Sequence, residues 1–204
     1  MTQAHTNARL EAFCDAVFAI ALTLLILDVK LPSPENIAGT SELWRALQHL
    51  APSIFAFLLS FVIILITWVN HHAALKLIHG SSVSFIYANG FLLLTVVSIP
   101  FTASLLGAFL STDHAAPAVV LYNAVLAVQA TSWILVSHTA LKNQLTADEK
   151  SSLTIREHGR NGYRAFALYS LLAITAFWFP LASAIVTTAS WIFWLAYGFR
   201  MKHA

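Results

Sequence analysis

The residues of this chain best suited to chemistry stand at its first apolar segment. Asp15 and Asp28 bracket twelve uncharged residues, and Arg9 and Phe13 come shortly before Asp15. An acid set about one turn inside an apolar helix is costly to remove from water, so it is a functional-site hypothesis by default. We therefore place the functional site on this segment.

The composition indicates an integral membrane protein. Of the 204 residues, 58% are hydrophobic and 10% are charged, and the mean hydropathy is +0.73. Such a chain has too little polar surface to cover a soluble globule. The net charge of +2 gives no sign of a nucleic-acid partner. The single cysteine, Cys14, excludes an intramolecular disulfide.

The apolar residues predict an all-α fold of six membrane spans in one domain, residues 1–204. After the first segment, charge-free runs cover residues 50–69, 81–112, 115–141 and 165–199. The last run would measure about 52 Å as one helix, against a hydrocarbon core of about 30 Å, so we expect a reverse turn near residues 178–180.

The basic residues predict the orientation of these spans. With six spans and both termini in the cytoplasm, nine of the eleven Lys and Arg residues lie inside, and Lys30 and Arg45 lie outside. Five spans would give a weaker asymmetry. Residues 142–162 are then expected to form a basic cytoplasmic loop, and residues 41–47 a short helix at the external interface.

Asp15 is predicted to take part in a polar network between the first two spans. These spans are antiparallel, so Asp15 lies at about the depth of Trp68, Asn70 and His71 at the end of the second span. Donors on these side chains could satisfy the carboxylate. Arg9 and Phe13 of the same motif are expected to belong to this network, which either pins the two helices together or contacts permeating ions.

One face of the first helix carries a repeating pattern. Ile20, Thr23, Leu24 and Leu27 recur at i, i+3, i+4 and i+7. Around an axis shared by several copies, this face would form rings of branched side chains with a layer of hydroxyls between them, which can gate by dewetting. Ordinary helix packing is the alternative. Asp28 is either an acidic ring at the external mouth or a solvated helix end.

The sequence gives little support for catalysis. It contains no HExxH, no P-loop, no glycine-rich dinucleotide turn and no Ser-His-Asp order, so we expect neither an enzyme nor a metal site. His138 with His71 or His72 could in principle hold a haem, since the spans that carry them end at similar depth. His138 has no neighbouring carboxylate, however, and we expect no cofactor apart from a permeating ion.

The opening motif resembles that of a known family. Arg9-x-x-x-Phe13-Cys14-Asp15 is similar to the Arg-x-x-x-Phe-Ser-Asp signature of the Transmembrane-175-like potassium channels. The Trp68-x-Asn70-His71-His72 segment and residues 94–105, which include a proline, are also similar. One departure is Cys14, which stands where the family usually has serine.

The resemblance implies a homotetrameric potassium channel in the cell membrane, with the first helix of each subunit lining a central pore. It places constrictions at Ile20, Leu24 and Leu27 and a selectivity layer at Thr23. The chain has no TVGYG-like filter, so we expect a leak-type channel with a modest preference for potassium over sodium. The alternative is a proton-coupled secondary transporter that uses Asp15 and His71 as a proton relay.

Overall fold

The fold is all-helical throughout the part of the chain that the structure describes. The computed structural model describes residues 7–201, apart from the side chains of Asp28, Asn36 and residues 196–201. Within it, seven α-helices follow one another: α1 (Ala8–Leu24), α2 (Thr40–His49), α3 (Ala51–Lys76), α4 (Val83–Phe109), α5 (Ala115–Lys142), α6 (Glu149–Thr175) and α7 (Pro180–Met201). A 3-10 turn, Leu25–Asp28, extends α1, and a second one covers Pro34–Asn36.

Four of the described helices are long and apolar enough to cross a membrane. They are α1 with its 3-10 extension to Leu27, and α3, α4 and α5. The chain is therefore a multi-pass membrane protein. The described apolar part of α7, Pro180–Leu195, is shorter, and the first half of α6 is charged. The assignment of α6 and α7 as the fifth and sixth spans stays a prediction.

Local signals explain where these helices begin. Pro52 occupies the first turn of α3, where a missing N–H costs nothing. The Ser82 hydroxyl accepts a hydrogen bond from the backbone N–H of Phe85 and so caps α4. The reverse turn expected near residues 178–180 is confirmed: α6 is capped at Ala176 and α7 begins at Pro180. The short helix expected over residues 41–47 is present as α2, and its place at the membrane interface stays a prediction.

The prediction of a cytoplasmic loop over residues 142–162 is wrong, because α6 already begins at Glu149. The Asp148 carboxylate caps this helix by accepting from the backbone N–H of Ser151 at 2.7 Å. That bond lowers the pKa of Asp148. The charged half of the helix still has a buried face, which Gly162 allows to lie close to α5: a Cβ at Gly162 would stand 2.8 Å from Cγ1 of Ile134.

The core of the subunit lies among the later helices. Helix α5 packs most extensively on α6 and α4, and α3 packs on α4. Helix α1 lies against α3 and α4 through Cys14, Phe18 and Ala21. The start of α1 is tied down by Asn7, whose side-chain amide donates to the backbone carbonyls of Ile78 and Gly80 between α3 and α4.

Candidate functional site

Helix α1 has one face in the subunit core and one face outside it. Cys14, Phe18, Ala21 and Leu25 are fully buried. The four positions of the predicted stripe lie on the other side: Ile20 is 55% exposed and Leu27 is 71% exposed, and Thr23 and Leu24 are exposed as well. The stripe is therefore available to other copies of the chain or to lipid.

Thr23 presents an oxygen on this exposed face. Its hydroxyl donates to the carbonyl of Ile20 in the preceding turn, at 2.8 Å. A hydroxyl carries one proton and two lone pairs. Because the proton is used within the helix, the lone pairs of Oγ1 remain to accept a hydrogen bond or to ligate a cation.

The external end of the stripe is only partly visible. The 3-10 turn Leu25–Asp28 continues α1 in the outward direction of the predicted topology. The side chain of Asp28, predicted to lie at the external mouth, is outside the described part of the structure.

At the other end of α1, Asp15 meets α3. The indole N–H of Trp68 donates to Oδ1 of Asp15 at 2.8 Å, and this bond is partly buried. Of the three donors considered from the sequence, Trp68 is thus the one that contacts the carboxylate. A hydrogen bond to a charged acceptor in a poorly solvated setting is among the stronger contacts available between helices.

His71 and Asn70 lie elsewhere, which corrects their expected place in the network. The ring of His71 is buried and its Nε2 lies 2.8 Å from Oδ1 of Asn89 on α4. The ring of Phe18 lies beside it, with centroids 5.5 Å apart. His71 faces the subunit core, where Asn89 is its polar neighbour, while Asn70 lines a cavity on the far side of α3.

Two further residues belong to the network: Glu11, which was not singled out from the sequence, and His72, which was considered there only as a haem ligand and as part of a motif. Oε1 of Glu11 lies 3.0 Å from Nδ1 of His72, and the ring of His72 stacks on that of Trp68 at a centroid distance of 5.9 Å. Glu11 and Asp15 are four apart on α1, and Trp68 and His72 are four apart on α3. Each pair therefore shares one helix face, which is the signal that identifies this contact.

Three residues of this network carry side-chain atoms of the kinds that bind metal ions. One ligand atom from each of Glu11, Asp15 and His72 lies within 4.8 Å of the other two. The geometry could accommodate a cation. Within the group Trp68 donates to Asp15, whereas Nδ1 of His72 lies close to Glu11 without forming a hydrogen bond among the described residues.

The remaining motif residues flank this network. Arg9 and Phe13 are exposed, and Phe13 continues the outward stripe of α1. Cys14, where the resembling family usually has serine, is fully buried, and a thiol in such a place behaves as a small apolar group. His138 is exposed on α5, whereas His71 is buried against Asn89, a placement that does not favour a pair of axial haem ligands.

Comparison with known proteins gives one consistent result. The profile of the family described as endosomal/lysosomal potassium channel TMEM175 matches residues 9–100, which cover α1, α3 and most of α4. A protein named potassium channel from Chamaesiphon minutus is 40% identical over 144 residues, or 70% of each chain.

A solved structure points to the same family as the sequence matches. The crystal structure of a lysosomal potassium-selective channel TMEM175 homolog from Chamaesiphon minutus superposes with a TM-score of 0.84 at 31% identity, over 94% of this chain and 97% of that one.

A chicken protein named endosomal/lysosomal proton channel TMEM175 is 36% identical over 78 residues, which is 36% of this chain and 16% of that protein.

Proposed function

Because this chain belongs to the TMEM175 family of channels, we propose that it forms a potassium-permeable leak channel whose pore is lined by α1 from several subunits. The family is one of ion channels, so the chain is not an enzyme. The observation that carries the proposal is the exposed stripe of α1: Ile20, Leu24 and Leu27 are left free by the subunit's own fold.

The stripe supports both a gate and a selectivity layer. Rings of Ile20, Leu24 and Leu27 around an axis would make an apolar constriction, and narrow apolar pores gate by losing their water. The Thr23 hydroxyl lies between these rings, with its proton already donated to Ile20. Its oxygen would replace part of the hydration shell of a passing cation. A single ring of hydroxyls, without stacked carbonyls, favours modest selectivity for potassium over sodium.

The assembly is proposed to be a homotetramer in the cell membrane with both termini in the cytoplasm. One subunit offers a single lining face and cannot enclose a pore, so several copies must surround the axis. The distribution of Lys and Arg supports the orientation. The network of Asp15, Trp68, Glu11 and His72 then lies near the cytoplasmic end of the pore helix and holds it against α3.

Flux through liposomes tests the pore face. We expect Ile20→Asn to raise potassium flux several-fold, since a polar amide removes the dewetted constriction. Ile174→Asn is the matched control, because Ile174 on α6 is 56% exposed, like Ile20, but lies away from α1. Equal flux in Ile20→Asn and the unmodified protein, with both assembled alike, would show that this face does not line the pore.

A second candidate is proton movement through the same protein. Vertebrate relatives are named proton channels, which is the observation that favours it. Transport by a proton relay between Asp15 and His71 has weaker support, because in the described structure Asp15 accepts from Trp68 and His71 lies against Asn89. Flux that saturates and follows an imposed pH gradient would indicate coupled transport. Flux that follows the potassium gradient alone would indicate a potassium channel.

A further inference from the structure

A cavity of about 90 Å³ lies inside the subunit, on the side of α3 that faces away from α1. Helices α3, α5, α6 and α7 converge on it, and none of its lining residues comes from α1. It is therefore separate from the exposed stripe and from the Asp15 network.

Two buried donors on the wall of this cavity lack a hydrogen-bond partner among the described residues. Gln129 on α5 is 7% exposed and Trp191 on α7 is 6% exposed. Neither Nε2 of Gln129 nor Nε1 of Trp191 has an acceptor within reach in that part of the chain. Buried donors are nearly always satisfied in folded proteins, so a group with an acceptor oxygen is expected in this space.

Three other polar side chains of the wall are already engaged. The Tyr169 hydroxyl lies 3.1 Å from Oγ of Ser190, and the Asn161 carbonyl oxygen accepts from Arg164 at 2.9 Å. The Thr67 hydroxyl donates to the carbonyl of Ile63. Unlike these three, Gln129 and Trp191 present donors that still need an acceptor.

Water alone fits this space poorly. A volume of this size has room for about three waters at about 30 Å³ each, and a stable buried water makes two to four hydrogen bonds. Much of the remaining wall is apolar or aromatic, including Ile63, Leu126 and Trp133. Waters placed against these side chains would leave hydrogen bonds unmade, and an apolar group that displaces such waters gains affinity.

We propose that this cavity is a binding site for a small neutral alcohol or ketone. Its oxygen would accept from Gln129, with the indole N–H of Trp191 as a second donor, and its apolar body would lie against the aromatic wall. No Lys, Arg, Asp or Glu is among the described lining residues, and His158 is the one histidine among them, which favours a neutral ligand over a charged one. A dry cavity of about 150 Å³ holds benzene, so the smaller volume of about 90 Å³ limits the ligand to about four non-hydrogen atoms.

Tryptophan fluorescence tests the proposal with a matched pair of probes. 2-Bromoethanol has the required size of about four non-hydrogen atoms and the required oxygen, and its bromine quenches indole emission; 1-bromopropane has nearly the same shape without the oxygen. With purified protein in detergent, we expect the alcohol to quench along a saturable curve. The analogue without the oxygen should quench in proportion to its concentration, as expected for simple partitioning into the protein and detergent.

Variants of the wall connect the quenching to the cavity. Gln129→Leu removes a donor and no fluorophore, and should raise the half-saturating alcohol concentration about three- to tenfold, the value of one hydrogen bond. Ala165→Leu should fill the space and abolish the saturable component. Trp178→Phe, which removes an exposed indole outside the cavity, should change the half-saturating concentration less than about twofold.

Two results would overturn the proposal. One is quenching by the alcohol that never saturates and matches that of the analogue, which would mean that the cavity holds water only. The other is an unchanged half-saturating concentration in Gln129→Leu. This variant is expected to fold even if Ala165→Leu does not, because it replaces an unsatisfied donor with an apolar group. The readout does not depend on ion flux, so it is independent of the proposed channel function.

Discussion

Helices α1 and α4 are both apolar enough to span a membrane, yet the subunit uses them differently. In the most apolar stretch of α1, 22% of the residues are buried, against 56% in α4. Composition therefore does not distinguish a helix that packs on several sides from one that the subunit leaves largely exposed. The distinction lies in which apolar faces the subunit leaves unused.

The side chains at the helix contacts explain why α4 is more buried than α1. Gly107 lets α4 approach α3 closely: a Cβ there would stand 2.8 Å from the Cα of Ser53. Helix α1 meets its neighbours along a narrow face of small and large residues, such as Ala21 and Phe18, and is held by polar contacts at the end that carries Asp15. We conclude that α4 belongs to a scaffold, meaning the packed core of the subunit, and that α1 is displayed on this scaffold, meaning that one of its faces stays exposed.

Replacing one leucine by alanine on each helix is expected to give the largest effect that tests this contrast between α4 and α1. Leu92 on α4 is fully buried, and Leu92→Ala should lower the free energy of unfolding by about 2–5 kcal/mol through lost contacts and a cavity. Leu24 on α1 is exposed, and Leu24→Ala should cost less than about 0.5 kcal/mol while raising potassium flux. Thermal unfolding in detergent and liposome flux measure the two effects. Equal destabilisation by the two variants would remove the distinction between scaffold and displayed helix.

A smaller effect is expected where the two regions are joined. Trp68→Phe leaves the partly buried carboxylate of Asp15 without its donor, which should cost about 1–3 kcal/mol of stability. Because that bond ties α1 to α3, potassium flux should change as well. Trp178→Phe, at the exposed turn between α6 and α7, is the control and should affect neither quantity. A Trp68→Phe protein with unchanged melting and flux would show that the network does not hold the pore helix.

Hydropathy was sufficient to locate the central helices but not the first half of α6. The charge-free runs 81–112 and 115–141 differ by a few residues from α4 and α5, because a helix buried in a membrane is apolar on all sides. The first half of α6 carries charges on one face and buries Ile155 and Gly162 on the other. Its signal is a period of about 3.6 residues rather than an unbroken apolar run.

The sequence predicted which residues of the candidate site lie at the same depth along neighbouring helices. It did not predict all of their side-chain contacts. Antiparallel spans place Asp15 level with Trp68, and the structure joins these two side chains. Nothing in the sequence says which polar residue of α4 meets His71, because Asn89 is set by how α3 and α4 are rotated about their axes. The cavity at Gln129 and Trp191 depends on four helices meeting at once, which pairwise spacing cannot reveal.

The smallest expected effect, and the most specific to the displayed face, concerns Thr23. Thr23→Val keeps the side-chain shape and removes the hydroxyl, so the constriction should remain while the oxygen ligand is lost. We expect the ratio of potassium to sodium permeability to fall by about three- to tenfold, the range of roughly 1 kcal/mol, with little change in melting temperature. Thr23→Ser restores the hydroxyl and should restore most of the ratio. Reversal potentials in bilayers under opposed potassium and sodium gradients measure it. If Thr23→Val leaves that ratio unchanged, the hydroxyl layer does not select, and discrimination must arise from the apolar rings on either side of it.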